Sequence, residues 1–266
     1  MPIFRRRLAQ REKGRCCLGS VSPPNKTAGN IRTLLLPTDP CPFFMKPITT
    51  LATCRTPEGI PLSLIHHDRD HYLMLGGNQL MSTDACNSEQ EMAGLACANL
   101  PPRARVLIGG LGFGFTLRRA LEVSPADATI HVAELLPQII DWNREYLGSV
   151  NGLLMDEPRV SIKLKDVYDL MNGQPAERYH AILLDVDNSP DPLVQKGNAR
   201  IYARSGLARV RDALHPGGRA IFWSANRDET FTRALRSVFR KVECIAAKPY
   251  PKAKRFSHTL FVADRD

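Results

Sequence analysis

Val106-Leu-Ile-Gly-Gly-Leu-Gly-Phe-Gly-Phe-Thr-Leu117 is the stretch whose reading decides the fold. An apolar run enters it, glycines stand at alternate positions 110, 112 and 114, and a helical pattern leaves it. Glycine lets the backbone turn sharply and approach a ligand closely. The helix that follows opens with free N–H groups. Four glycines in six residues, 109–114, are more than an ordinary strand-to-helix turn needs.

Outward from that loop, strands and helices alternate. Strands are expected at Arg105–Gly109, Thr129–Glu134, Val160–Leu164, Ala181–Leu184 and Ala220–Trp223. Helices are expected over 115–123, 137–147, from Val167, over 199–214 up to Pro216-Gly217-Gly218, and over 228–239. Such alternation implies a mostly parallel sheet covered on both faces. Two late strands, about 241–247 and 257–263, have no helix between them and imply an antiparallel edge. The fold class is therefore α/β, a doubly wound, Rossmann-like sheet of seven strands. Upstream, the runs 48–54, 61–66 and 71–75 are bounded by Pro-Glu-Gly, Asp-Arg-Asp and Gly-Gly-Asn, the punctuation of β-hairpins. A small N-terminal β subdomain is expected over 45–86. The larger, Rossmann-like domain would then follow over 87–266. Its first helix is expected to start at an Asn87 N-cap, with Gln90 completing a capping box, and to run to about Asn99 with Met92, Leu95 and Ala96 on one face.

Composition bounds the rest. The chain has 266 residues, a hydrophobic fraction of 43% and seven cysteines. That length buries a core without disulfides or metals. The cysteine count is odd and contains no C-x-x-C pair, so neither a zinc site nor a disulfide framework is expected. His66, His67 and His71 lie in a hairpin region, where their spacing does not suit a metal. No apolar run is long enough to span a bilayer, and reduced cysteines suit a cytoplasmic protein. Residues 1–44 carry eight basic residues against two acidic ones, so six of the nine net positive charges lie there. The body is only mildly basic, and neither a nucleic-acid nor a membrane partner is expected. The segment 1–44 shows no period and is read as a disordered leader or as an upstream start preceding a true Met45. Its arginine richness also suits a transit peptide.

The carboxylates carry the chemistry. The dinucleotide pattern G-x-G-x-x-G would need a third glycine where Phe115 stands. The G-x-G-x-G spacing of Gly110, Gly112 and Gly114 is instead usual for sulfonium-cofactor transferases. Glu134 ends the second strand and is placed to accept hydrogen bonds from ribose hydroxyls. Asp166 follows the third strand and suits either an adenine amino group or a helix N-cap. Asp185 ends an apolar strand, and Asp187 and Asn188 follow it at the expected switch point of the sheet.

These residues resemble the spermidine synthase superfamily within the class I methyltransferase fold, over roughly residues 48–263. The family loop G-G-G-D-G-G-T-L-R is similar to Gly110–Arg118, and V-E-I-D-P to Ala133–Pro137. The catalytic D-S-x-D-P region is similar to Asp185–Pro190. L-D-G-x-x-Q is similar to Leu75–Gln79, and the Glu of Y-H-E matches Glu91. A bacterial branch with G-G-L-G-x-G-F-T, W-N-R and L-D-V-D-N is similar at Gly109–Thr116, Trp142–Arg144 and Leu184–Asn188. The sequence departs from the pattern where the loop Asp becomes Phe113, where Tyr and His of Y-H-E become Glu89 and Gln90, and where the second Asp of D-S-x-D-P has no clean match.

The resemblance implies S-adenosylmethionine or its decarboxylated form as cofactor, with Gln79, Gly110, Gly112, Gly114, Glu134 and Asp166 holding it. It implies Asp185 and Asp187 as catalytic residues, Asn188 and Glu91 at the substrate, and no metal. The expected partner is a small-molecule amine, and a homodimer is admitted. Aminopropyl transfer is the activity implied first. Methyl transfer from the same pocket and a non-catalytic nucleoside-binding protein are the alternatives.

Overall fold

The computed structural model describes residues 46–171, 174–186 and 199–266. The expected leader, 1–44, lies outside them.

Two sheets form the molecule. The first is antiparallel, in the order β1-β2-β3-β4, with β1 Ile48–Arg55, β2 Pro61–His67, β3 Asp70–Leu75 and β4 Asn78–Ser82. The sequence reading placed three strands here, and the fourth arises from Gly76-Gly77. Both glycines have positive φ, 56° and 84°, and Leu75 pairs with Asn78 across them. Two central residues with positive φ make the primed turn that matches the twist of a tight hairpin.

The second sheet is the expected seven-stranded one, ordered β10-β11-β9-β8-β5-β6-β7. Its strands are β5 Arg105–Gly109, β6 Thr129–Glu134, β7 Val160–Leu164, β8 Tyr179–Leu184, β9 Leu214–Ser224, β10 Lys241–Ala247 and β11 His258–Asp264. Pairings from β7 through β9 are parallel. The late strands are antiparallel, and β11 inserts between β9 and β10. The chain builds outward from β5 through β6 to β7 and then returns to β8 on the other side of β5. The switch point thus falls between β5 and β8, where the carboxyl ends of the strands open a crevice.

The helices are α1 Asn87–Cys97, α2 Phe115–Val123, α3 Pro137–Glu145, α4 Gly148–Asn151, α5 Val167–Leu170, α6 Ala199–Tyr202, α7 Arg204–Ala213 and α8 Glu229–Arg236. Strand alternation divides the core into two layers. Val106 and Ile108 face one cluster, with Met92 and Leu117 from the helices and Leu62 and Leu64 from the small sheet. Leu107, Ile182 and Phe222 face the other, with Leu207, Phe231 and Leu235.

Three local expectations are corrected. The Asn87 capping box does not form: the N-cap residue is Cys86, Asn87 lies inside the helix, and its amide donates to the Lys248 carbonyl at 3.2 Å. A distant carbonyl wins that side chain from the local turn, and Gln90 instead donates to Cys86 Sγ at 3.2 Å. The single helix over 199–214 is two, α6 and α7. Pro216-Gly217-Gly218 lies inside β9 rather than before it. That stretch is drawn into the sheet by its neighbours: Gly217 N–H donates to the Arg265 carbonyl, and Arg265 N–H to that of Gly218, both at 2.8 Å. A Cβ on Gly218 would lie 2.9 Å from the His215 carbonyl oxygen and 3.1 Å from that of His180.

Candidate active site

A single cavity occupies the switch point, and it is built from both sheets. Its floor is the glycine loop and the ends of β6, β7 and β8, through Gly110, Gly112, Glu134, Asp166 and Asp185. Its apolar roof comes from the small sheet through Leu62, Leu73, Leu80 and Met81. Glu89 of α1 and Trp223 of β9 close one side, and Lys165 stands beside Asp166.

The loop needs its glycines for stated reasons at two positions. Gly110 has φ of 92°, and a Cβ there would lie 2.3 Å from the Asp185 carbonyl oxygen. Gly112 has φ of 52°, and a Cβ would lie 2.8 Å from Met81 Cε. The backbone thus hugs the end of β8 on one side and the roof on the other. Gly114, at φ of 80°, caps α2 and is not part of the cavity lining. Asn143 steadies the loop from below, since its amide donates to the Gly112 carbonyl at 2.8 Å and to that of Ile139 at 2.7 Å. Asn143 is buried, and Asn151 donates in turn to its side-chain oxygen.

Glu134 is buried at the tip of β6. Its Oε2 accepts from Leu111 N–H at 3.0 Å, and its Oε1 from Leu135 and Leu136 N–H at 2.8 and 2.9 Å. Burial raises its pKa above the usual carboxylate value, and these backbone donors oppose the rise. These backbone donors fix the carboxylate in place at the tip of the strand as a hydrogen-bond acceptor.

Asp166 takes the N-cap role that the sequence allowed. Its Oδ1 accepts from Tyr168 N–H at 2.8 Å, so it caps α5. Its Oδ2 pairs with Arg200 at 2.7 Å. It lines the cavity as well.

Asp185 leaves β8 beside the loop, with its N–H donating to the Gly109 carbonyl at 3.0 Å. Burial, together with the nearby Glu89 charge, pushes its carboxyl up to about 8. Glu89 is itself buried and raised by desolvation. Its Oε2 accepts from Ser88 Oγ at 2.6 Å, and Ser88 Oγ accepts from Trp223 Nε1 at 3.0 Å.

Glu89 therefore faces the cavity, whereas Glu91, the residue expected near the substrate, does not line it. The expectation rested on the motif letter, but α1 buries the stripe Ser88, Glu89, Met92, Ala93, Ala96 and Cys97. The signal was present in the sequence: Glu89 stands three and four residues before apolar Met92 and Ala93, a charge on the buried face of a helix. Gln79 is also off the cavity lining, and its amide donates to Ser82 Oγ at 3.1 Å. Phe113, at the position of the family's loop carboxylate, is 2% exposed and packs edge-on to Phe115 in the core. Asp187 and Asn188 lie outside the described residues.

Among the described residues no group of three or more His, Cys, Asp and Glu is placed to hold a metal ion. Among them, too, no helix is long and apolar enough to cross a membrane.

Against known proteins, no family model matches the chain. It is 27% identical over 141 residues to spermidine synthase 1 of Pisum sativum, covering 53% of this chain and 40% of that protein. It is 33% identical over 125 residues to putrescine N-methyltransferase 2 of Nicotiana attenuata, covering 47% of this chain and 32% of that protein. These matches span less than half the length of those relatives. Among solved structures, spermidine synthase from Thermotoga maritima superposes with a TM-score of 0.66 at 18% identity, covering 82% of this chain and 73% of that one.

Proposed function

We propose, for a chain that is spermidine synthase-like in sequence and methyltransferase-like in fold, an enzyme that binds an adenosyl sulfonium cofactor at the switch point and transfers its aminopropyl group to an amine. The observation that carries this reading is the placement of Glu134 and Asp185 in one cavity, on either side of the Gly110–Gly112 turn.

The residues suit the cofactor. Gly110 and Gly112 form a cradle that a Cβ would fill. Glu134 offers a fixed acceptor to ribose, and Asp166 offers a second acceptor farther along the strand ends. When bound, the sulfonium supplies an electrophilic carbon and a neutral thioether leaving group. Positioning two partners in one cavity accounts for much of such a rate enhancement. Asp185 would aim the lone pair of the incoming amine and take the proton that the nitrogen sheds as its new bond to carbon forms. An ordinary aspartate is a weak base. A carboxylate raised toward neutrality is better matched to that proton. Trp223 and the leucines of the roof would exclude water.

Methyl transfer is the second reading, favoured by one observation. Phe113 is buried away from the cavity, so the loop carboxylate expected at an aminopropyl amine is missing there. Incubating the protein with either decarboxylated or intact S-adenosylmethionine and a panel of amines, with products read by mass spectrometry, decides between them. Aminopropylated product supports the first reading and methylated product the second. Absence of product from both cofactors, with methylthioadenosine still bound, would leave a nucleoside-binding protein without turnover.

A further inference from the structure

We infer that Glu89 makes the cavity selective for a primary ammonium group, which it holds together with Asp185, and that this ammonium displaces a proton the two carboxylates share in its absence. The inference rests on the adenosyl-site reading above and adds the ligand chemistry at its far end.

The argument starts from where the two acids come from. Asp185 is fixed by the sheet, at the end of β8. Glu89 arrives from α1, and its carboxylate enters the same cavity. Two desolvated carboxylates lining one cavity do not both ionise readily, because each repels the other. Both acids are raised, and the Glu89 charge is a cause of the Asp185 shift. Among the described residues neither acid is paired with a lysine or arginine.

The hydrogen bonds fix which atoms remain. Trp223 Nε1 is only a donor, so Ser88 Oγ accepts from it and must spend its one proton on Glu89 Oε2. Glu89 Oε2 is therefore an acceptor, and a proton held by the pair resides on Glu89 Oε1 or on Asp185. The same relay holds the Glu89 side chain in one orientation. Lys165, Glu134 and Asp166 are the other charged residues of the lining. Asp166 is already paired with Arg200, and Glu134 is held by backbone donors.

An arriving R–NH3+ brings three donors and one positive charge. It replaces the shared proton, which leaves to solvent, and both carboxylates then stay ionised around it. Phe113 contributes no charge to the cavity, so Glu89 supplies from the helix what the loop lacks. The ammonium belongs either to the amine acceptor or to the aminopropyl tail of the cofactor.

Titration calorimetry separates the two sources. Putrescine is titrated into protein with and without saturating methylthioadenosine, and decarboxylated S-adenosylmethionine is titrated into free protein. Each is run in phosphate and in Tris at pH 7, so that proton release is counted from the difference in heat. At least one ammonium ligand should bind wild-type protein with release of close to one proton. Glu89→Gln should weaken that ligand tenfold or more and remove the proton release, and Glu89→Asp should restore part of both. Ser88→Ala keeps the charge but frees the side chain, and should weaken binding severalfold with the proton release intact. The inference is overturned if Glu89→Gln, folded by near-ultraviolet circular dichroism, binds as wild type does, or if wild type binds neither putrescine nor the decarboxylated cofactor. If Glu89→Gln does not fold, wild-type affinity in Ser88→Ala and Glu89→Asp together overturns it. Failure of methylthioadenosine alone to bind would instead remove the adenosyl reading, while the putrescine titration would still test the acid pair.

Discussion

The two ends of the cavity hold carboxylates in opposite states. At the β6 end, Glu134 is buried but receives three backbone N–H groups from the loop and the chain that follows it. At the β8 end, Glu89 receives the Ser88 hydroxyl, and among the described residues no donor reaches the Asp185 carboxylate. The first arrangement is complete before a ligand arrives and offers a rigid acceptor, which suits neutral hydroxyl groups. The second is incomplete and like-charged, which suits a cation. A buried polar group is tolerable only when paired, so the difference separates a preformed pocket from one its ligand must finish.

Breaking the β8 end should have the largest effect. Asp185→Asn keeps the shape and removes the basicity, and should lower kcat by roughly 10²-fold or more, within the range for general acid–base groups. Methylthioadenosine affinity should stay nearly constant, since contacts made only as the reaction proceeds act on rate rather than binding. Full activity in Asp185→Asn would make the residue structural and direct the search to Asp187.

The β6 end should respond in the reverse sense. Glu134→Ala should weaken methylthioadenosine binding by about 1–3 kcal/mol, the usual cost of leaving polar groups unpaired. The N–H groups of Leu111, Leu135 and Leu136 lose their shared acceptor, so the melting temperature should fall too. Equal affinities by calorimetry would remove Glu134 from the site.

A smaller effect is expected between the two ends. Gly112→Ala places a Cβ 2.8 Å from Met81 Cε at a positive φ, which costs about 1 kcal/mol in stability. Met81 is flexible and can yield, so Met81→Ala in the same chain should recover part of the steric loss but none of the backbone strain. Chemical denaturation of the single and double variants measures both parts.

A further effect is on the pH dependence of stability. The folded Asp185 carboxyl is raised to about 8, above its unfolded value of about 3.9. The folded state then binds a proton that the unfolded chain has released, so this group's contribution is whole below about pH 4 and is lost as pH rises through 8. Glu89 acts in the same direction. The depressed histidines, His71 and His131 among them, act oppositely, so the comparison must be made between variants. The melting temperature of Asp185→Asn should exceed that of wild type by more at pH 8.5 than at pH 5. A constant difference across that range would show that Asp185 is not raised.

Much of the fold was legible because its signals are local. The β5 and β6 strands and the α2 helix occur at their expected residues, since apolar runs, alternate glycines and helical spacing each act over a few positions. The two local failures of the fold reading share one cause. Asn87 was claimed by a carbonyl of Lys248, and Pro216-Gly217-Gly218 was recruited by Arg265. In both, a partner distant in sequence outbid the local rule. The motif letter pointed to Glu91, whereas the buried stripe of α1 carries Glu89 into the cavity.

The sequence by itself determined the order of strands and helices, the turn at Gly110 and Gly112, and the acids at the ends of β6, β7 and β8. Each of these is set by neighbours along the chain or by the alternation of a strand. Only the tertiary structure decided that Glu89 shares a cavity with Asp185, that Phe113 turns into the core, and that the small sheet roofs the cavity with Leu62, Leu73 and Met81. These are contacts between elements, chosen by which faces can be buried together, and no local spacing encodes them.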